Sequence, residues 1–113
     1  MKVGIDSRSF VVPKIHLPIK TLAKNRNIEP KKLTNGLSLT KMNFLDVHQD
    51  AVTLAANAVL KLINQENLNP KEITRIYVGT ESSVDRSKPI GSPVITLLES
   101  VFGAGSFRKN KPF

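Results

Sequence analysis

The stretch DAVTLAANAVLKLINQENLNPKEITRIYVGTE, residues 50–81, decides which fold the sequence predicts. It begins with Asp50, whose carboxylate can accept hydrogen bonds from the free N–H groups of a helix's first turn. Apolar side chains then cover most of the helix surface, and the polar positions form one narrow stripe: Thr53, Asn57, Lys61 and Asn64. A helix with so wide an apolar surface is buried against more than one neighbour. The sequence therefore predicts a helix that lies inside a larger structure.

A strand is predicted directly after this helix. Residues 67–70 (NLNP) end the helix, and the segment Ile73–Thr80 is rich in β-branched residues and lacks proline. Its apolar run at 76–78 is nearly continuous, which is typical of a strand that is covered on both faces. The order helix, short loop, strand therefore indicates an α/β layer.

Shorter elements are predicted on both sides of this stretch. The pattern predicts a strand over residues 3–12, a short helix from Pro18 to about residue 26, and a single helical turn at 29–33. A last helix is expected to end at Gly103, because glycine favours the backbone conformation that follows a helix. It begins either with Ser92 as its cap and Pro93 at its first position, or earlier, near Pro89.

Composition narrows the class of protein. The chain has 113 residues and a net charge of +8, and residues 1–41 contain nine Lys and Arg but only two Asp and Glu. This charge favours a phosphate-bearing partner, but only 5% of residues are aromatic and no nucleic-acid motif is present, which argues against nucleic acid. Without cysteine the chain has neither a disulfide nor a thiolate metal site. No apolar run is long enough to span a membrane and no signal peptide is evident, so a cytoplasmic protein is expected.

Few residues are candidates for chemistry. Glu81 directly follows the predicted strand, and catalytic groups gather at the carboxyl ends of strands in α/β sheets, so Glu81 is a candidate general base. His16 and His48 lie in predicted loops and are expected to be structural or exposed to solvent. The alternating Asp46, His48 and Asp50 lack the glycine and the closing acid of a calcium loop, so no metal site is predicted.

Four segments resemble a known family. They read VGIDSRSFVVPK (3–14), LAKNRNIEPKKLTNGL (22–37), QDAVTLAANAVLKLI (49–63) and, most specifically, YVGTESSVDRSKPI (77–90). In order and spacing they are similar to the amino-terminal part of hydroxymethylglutaryl-CoA synthases, which belong to the thiolase-like superfamily. The resemblance implies that residues 1–103 form the amino-terminal portion of a thiolase-like layered α/β fold, and that residues 104–113 are an out-of-pattern tail.

The resemblance also implies an activity. The family is an acyltransferase of the mevalonate pathway that condenses acetyl-CoA with acetoacetyl-CoA, needs no further cofactor, and forms homodimers. A cysteine is acetylated, a glutamate removes a proton from the acetyl methyl group, and a histidine positions the second substrate. The glutamate corresponds to Glu81, as general acid/base. A segment that contacts CoA corresponds to Glu29, Pro30 and Lys32, with Glu29 in place of the usual aspartate.

Departures from the family pattern leave three interpretations open. The chain has no cysteine, and neither histidine falls in the family's catalytic segment, so the first interpretation is a fragment that is inactive alone. Its basic tail suggests a frameshift or a premature stop. The second interpretation is a fragment of a polyketide-associated relative that acts on a carrier protein. The third is a small basic protein without catalysis that binds CoA or nucleic acid.

Overall fold

The computed structural model describes residues 2–83 and 85–107. These residues belong to two compact units. One unit consists of residues 12–48, and the other combines the residues up to 11 with those from 49 onward. The Lys-rich part of the chain is thus divided between the two units.

The unit of residues 12–48 contains a two-stranded antiparallel sheet and two short helices. Strand β1 (Ile15–Pro18) pairs with strand β2 (Lys41–Phe44), and helices α1 (Ile19–Arg26) and α2 (Pro30–Thr34) lie between them in the chain. The buried side chains of α1 are Ile19, Leu22 and Ala23. The predicted short helix and single turn are confirmed. The sheet was not predicted, because its two four-residue strands are separated by two helices in the sequence.

The second unit is built on helix α3 (Ala51–Glu66). Asp50 caps it as predicted: its carboxylate accepts from the Thr53 N–H at 2.7 Å, and the Thr53 hydroxyl accepts from the Asp50 N–H at 2.8 Å. Asn67 ends the helix in the left-handed conformation, with φ of 49°. A 3₁₀ helix follows at Pro70–Glu72. No helix in the described part of the chain is long and apolar enough to cross a membrane.

Helix α4 (Gly91–Phe102) packs against α3 and forms the core of this unit. The buried side chains of the core come from both helices and from two segments outside them: Val52, Ala56, Ile63, Ile76, Val94, Leu98 and Phe107. Because α4 begins at Gly91, Pro93 lies within its first turn, which confirms the second of the two predicted starts. Only three α3 side chains are buried, so the expected burial of α3 against several neighbours is not reached within the described chain.

Both long predicted strands are absent from the described structure. Residues 3–12 and 73–80 belong to no sheet, so the predictions of strands there are wrong. The predicted burial on both faces also fails, because Ile76 is buried while the neighbouring Tyr77 is 68% exposed. The physical reason is that a strand satisfies its backbone groups only through a neighbouring strand, and the described chain brings none to either segment.

The residues after α4 continue to pack. Gly103 ends the helix with φ of 98°, a conformation that costs glycine little. The chain then turns back so that Phe107 is 2% exposed, and its ring meets that of Phe102 edge to face, with centroids 6.1 Å apart. Residues 108–113 of the predicted tail lie outside the described residues, and the boundary between 103 and 104 stays a prediction.

Candidate functional site

Glu81 lies in an exposed bend after the extended segment 73–80. Short-range hydrogen bonds shape the loop that follows: the Ser82 N–H donates to the Thr80 hydroxyl at 3.0 Å, and the Ser87 N–H donates to the Asp85 carboxylate at 2.8 Å. A carboxylate removes a weakly acidic C–H proton effectively only when it is positioned in a site that excludes water. The described residues place Glu81 at the surface, so they do not by themselves enclose such a site.

A cavity of about 620 Å³ lies beside this loop. It is formed where α3 and α4 begin, and its lining combines apolar and polar side chains, among them Val52, Ile90, Leu97, Ser83, Asp85 and Lys88. Glu81 is not part of the lining, but Ser83, two residues further along the chain, is. The cavity gives the Glu81 loop an adjacent space that is large enough for part of a small-molecule substrate.

The sequence analysis did not identify the charged pair at this cavity. The Lys88 ammonium lies 3.8 Å from the Asp85 carboxylate, and both side chains are largely exposed. The signal available in the sequence was the pair of opposite charges three residues apart in the predicted polar turn. Asp50 also lines the cavity, and hydrogen bonds from the backbone N–H and then the side chain of Thr53 lower its pKa, so this carboxylate stays ionised.

The second group of predicted site residues lies at the start of α2. Glu29 precedes the helix with an extended backbone, Pro30 is its first residue, and the Lys32 N–H donates to the Glu29 carbonyl at 3.1 Å. All three side chains are exposed. The structure therefore brings Glu29, Pro30 and Lys32 together at one helix start, whereas Glu81 belongs to the other unit.

The histidines lie at the surface. His16 and His48 are both exposed, and His48 Nε2 is 3.9 Å from the Asp46 carboxylate. Within residues 2–83 and 85–107, no three His, Asp or Glu side chains lie close enough together to hold a metal ion. Neither histidine lies beside the Glu81 loop in the sequence, and no role in catalysis is assigned to them.

Comparison with known proteins identifies the family. Residues 1–105 match the family model described as "Hydroxymethylglutaryl-coenzyme A synthase N terminal". The chain belongs to the hydroxymethylglutaryl-CoA synthase family. It is 41% identical over 107 residues to the hydroxymethylglutaryl-CoA synthase of Haloferax volcanii, a match that covers 94% of this chain and 24% of the relative. It is 40% identical over 88 residues to the synthase of Enterococcus faecalis, covering 78% of this chain and 22% of that relative.

Solved structures agree with this membership. One, of MvaS in complex with 3-hydroxy-3-methylglutaryl coenzyme A, superimposes with a TM-score of 0.77 at 40% identity and covers 88% of this chain. Another, of an HMG-CoA synthase complexed with CoA, gives a TM-score of 0.72 at 35% identity and covers 87% of this chain. The predicted partial thiolase-like α/β fold is thereby confirmed. The chain spans about a quarter of the length of the relatives that it matches.

Proposed function

We propose that this chain supplies the general base of a hydroxymethylglutaryl-CoA synthase, which condenses acetyl-CoA with acetoacetyl-CoA. The observation that carries the proposal is the family match over residues 1–105, which includes the Gly79-Thr80-Glu81-Ser82 motif. Glu81 is exposed and directly precedes the loop that lines the cavity, so its carboxylate is accessible to a substrate bound beside that loop.

The proposed role of Glu81 is proton transfer. The methyl group of an acetyl thioester is weakly acidic, and its deprotonation needs a positioned base. The Glu81 carboxylate takes that proton, and the resulting carbanion attacks the ketone carbon of acetoacetyl-CoA, forming the new carbon–carbon bond. The acetylated cysteine and the positioning histidine belong to the remaining part of the family fold, because this chain contains no cysteine.

We further propose that the start of α2 contacts the CoA portion of the substrates. Two of the structurally similar proteins were solved with CoA or with a CoA thioester. The exposed Lys32 ammonium is available to phosphate oxygens, and Glu29 and Pro30 fix the helix start from which it projects. The substrates are then the only small molecules required. Paired subunits and a cytoplasmic location are part of the same proposal.

The test joins residues 1–105 of this chain to the remaining carboxyl-terminal region of the Enterococcus faecalis relative, and replaces Glu81 with Gln. Transfer of the acetyl group to the enzyme is expected to persist, since it does not require the base. Condensation is expected to fall by roughly 10²- to 10⁴-fold, the usual contribution of a positioned acid–base group. The two steps are measured separately, as protein-bound radioactive acetyl groups and as released product.

The control is Glu66→Ala, because Glu66 is an exposed carboxylate at the last residue of α3. It should leave both steps within about twofold of the parent, as surface substitutions usually do. If Glu81→Gln also left condensation within a few-fold, Glu81 would not be the base. Parallel loss of acetylation, condensation and thermal stability would assign Glu81 a structural role instead.

A further inference from the structure

We propose that Thr80 is a positioning residue for the carboxylate of Glu81. Its hydroxyl closes a short turn around Glu81 and thereby fixes the backbone from which the carboxylate extends. The inference rests on the proposed function, because it takes Glu81 to be the base. Thr80 itself is assigned no contact with a substrate and acts only through the backbone of Glu81.

The turn is closed by one hydrogen bond between the two neighbours of Glu81. The Ser82 N–H donates to the Thr80 hydroxyl at 3.0 Å. Serine and threonine side chains commonly form such a turn with the N–H group two residues further along the chain. Because Glu81 is the middle residue, the bond restricts its backbone dihedral angles, and these angles set the direction in which its side chain leaves the backbone.

The rest of this stretch has few restraints of its own. Between residues 74 and 88, within the part that the structure describes, no hydrogen bond joins two backbone groups. Backbone freedom that Glu81 keeps in the free enzyme has to be removed before its carboxylate can act at one fixed place, and that ordering is unfavourable. Loss of the Thr80 hydroxyl should therefore leave the backbone of Glu81 without its local restraint.

Thr80 follows a segment that is attached to the core. Ile76 is 9% exposed and belongs to the core formed with α3 and α4, and the half-buried Val78 packs against that core. Residues two apart in an extended chain lie on the same face, so Thr80 continues the face of Ile76 and Val78. The packing of those two side chains holds the backbone that leads to Thr80, and the hydroxyl of Thr80 then holds Glu81.

The loop beyond this turn is shaped by other hydrogen bonds. The Ser83 hydroxyl donates to the Asp85 carbonyl, and the Ser87 N–H donates to the Asp85 carboxylate, both at 2.8 Å. Neither bond involves Glu81 or Thr80. Removal of the Thr80 hydroxyl should therefore displace Glu81 and leave the rest of the loop in place.

The experiment replaces Thr80 with Val in the fusion of residues 1–105 with the carboxyl-terminal region of the Enterococcus faecalis relative. Valine keeps the shape of threonine but lacks the hydroxyl. Condensation is expected to fall by about 10- to 100-fold, because misplacement of a catalytic group by about 1 Å can cost that much. Acetyl transfer to the enzyme does not require the base and should stay within about twofold of the parent. Thr80→Ser keeps the hydroxyl and should restore condensation to within about threefold of the parent.

Thr74→Val is the matched control. Thr74 lies in the same extended segment, is exposed, and makes no side-chain hydrogen bond within the described part of the chain. The substitution should leave acetyl transfer and condensation within about twofold of the parent. Because Thr74 and Thr80 are both exposed, neither valine variant should alter the thermal unfolding of the fusion protein.

A double substitution tests whether Thr80 acts through Glu81. In Glu81→Gln the base is absent, so adding Thr80→Val should lower the residual condensation by less than about twofold. An equal loss in both backgrounds would overturn the proposal, because Thr80 would then act independently of Glu81. Unchanged condensation in Thr80→Val, failure of serine to restore it, or a parallel loss of acetyl transfer would overturn the proposal as well.

Failure of the proposed function gives a different result. If Glu81→Gln itself leaves condensation within a few-fold of the parent, Glu81 is not the base, and the positioning role of Thr80 is wrong with it. If Glu81→Gln lowers condensation as expected but Thr80→Val does not, only the positioning role is contradicted.

Discussion

Helix α3 and the extended segment of residues 3–11 belong to the same unit, but they differ in where their backbone N–H and C=O groups find hydrogen-bond partners. The helix pairs its N–H and C=O groups within itself and closes its first turn through Asp50 and Thr53. Among the described residues, the segment makes no hydrogen bond from its backbone to another backbone group. It is attached to α3 through the Ser9 hydroxyl and the Phe10 carbonyl. A helix is thus complete once its own residues are present, whereas a strand depends on residues elsewhere. Three substitutions, given in order of expected effect, sharpen this contrast.

The largest effect is expected from Phe107→Ala. The Phe107 ring is fully buried in the core that joins α3 to α4, and truncation of a buried phenylalanine leaves a cavity. The free energy of unfolding should fall by about 3–5 kcal/mol, measured by urea denaturation and circular dichroism. Phe44→Ala is the control, since Phe44 is 38% exposed in the other unit, and it should cost less than about 1.5 kcal/mol. A loss below about 1.5 kcal/mol in Phe107→Ala itself would mean that the helix pair does not depend on this ring.

An intermediate effect is expected at Asp50, whose carboxylate closes the first turn of α3. Asp50→Ala should lower the free energy of unfolding by about 1 kcal/mol, whereas Asp50→Asn should retain most of the cap. The native pKa of Asp50 is lowered chiefly by the Thr53 backbone hydrogen bond, and then by the Thr53 side chain. Its stabilising contribution is therefore complete above the unfolded pKa of about 3.9 and is lost as the pH falls through the lower native value.

The pH dependence isolates that carboxylate. The free energies of unfolding of the parent and of Asp50→Asn are compared by denaturation from pH 6 down to the acid limit of folding. The stabilisation by the ionised Asp50 carboxylate should begin to be lost near pH 3.9, at about the unfolded pKa. The stability advantage of the parent should shrink as the pH falls, because asparagine does not titrate. A constant difference across this range would contradict the assignment of the ionised cap.

The smallest effect is expected from Lys61→Ala, which removes both contacts between the Lys61 ammonium and Phe10: the hydrogen bond to its carbonyl and the cation–π contact with its ring. The equilibrium constant for detachment of the segment from α3 should rise about 2- to 5-fold, because loss of an exposed cation–π contact costs about 0.5–1 kcal/mol. The measurement is the rate of trypsin cleavage after Arg8 under native conditions. Lys71→Ala, in the 3₁₀ helix, is the control and should leave that rate unchanged. An unchanged rate in Lys61→Ala would show that Lys61 does not hold the segment.

The candidate site was predicted in part. Glu81 was identified from the residues around it, but the strand that was to position it is absent from the described structure, and the carboxylate lies exposed. Its assignment as the base and that of Glu29, Pro30 and Lys32 as CoA contacts stay predictions. The cavity beside the loop could not be read from the sequence, because its walls come from α3, from α4 and from the loop between residues 83 and 90.

The sequence by itself determined where α1 to α4 lie in the described chain and fixed three of their ends. Asp50 begins α3, Asn67 ends it, and Gly103 ends α4, because each of these signals acts through backbone groups within one helical turn. Tertiary structure decided the pairing of β1 with β2 and the burial of Phe107 in the helix core. It also left residues 3–12 and 73–80 outside the sheet of the described chain. Those outcomes depend on which distant residues meet, and no local pattern of side chains specifies a strand's partner.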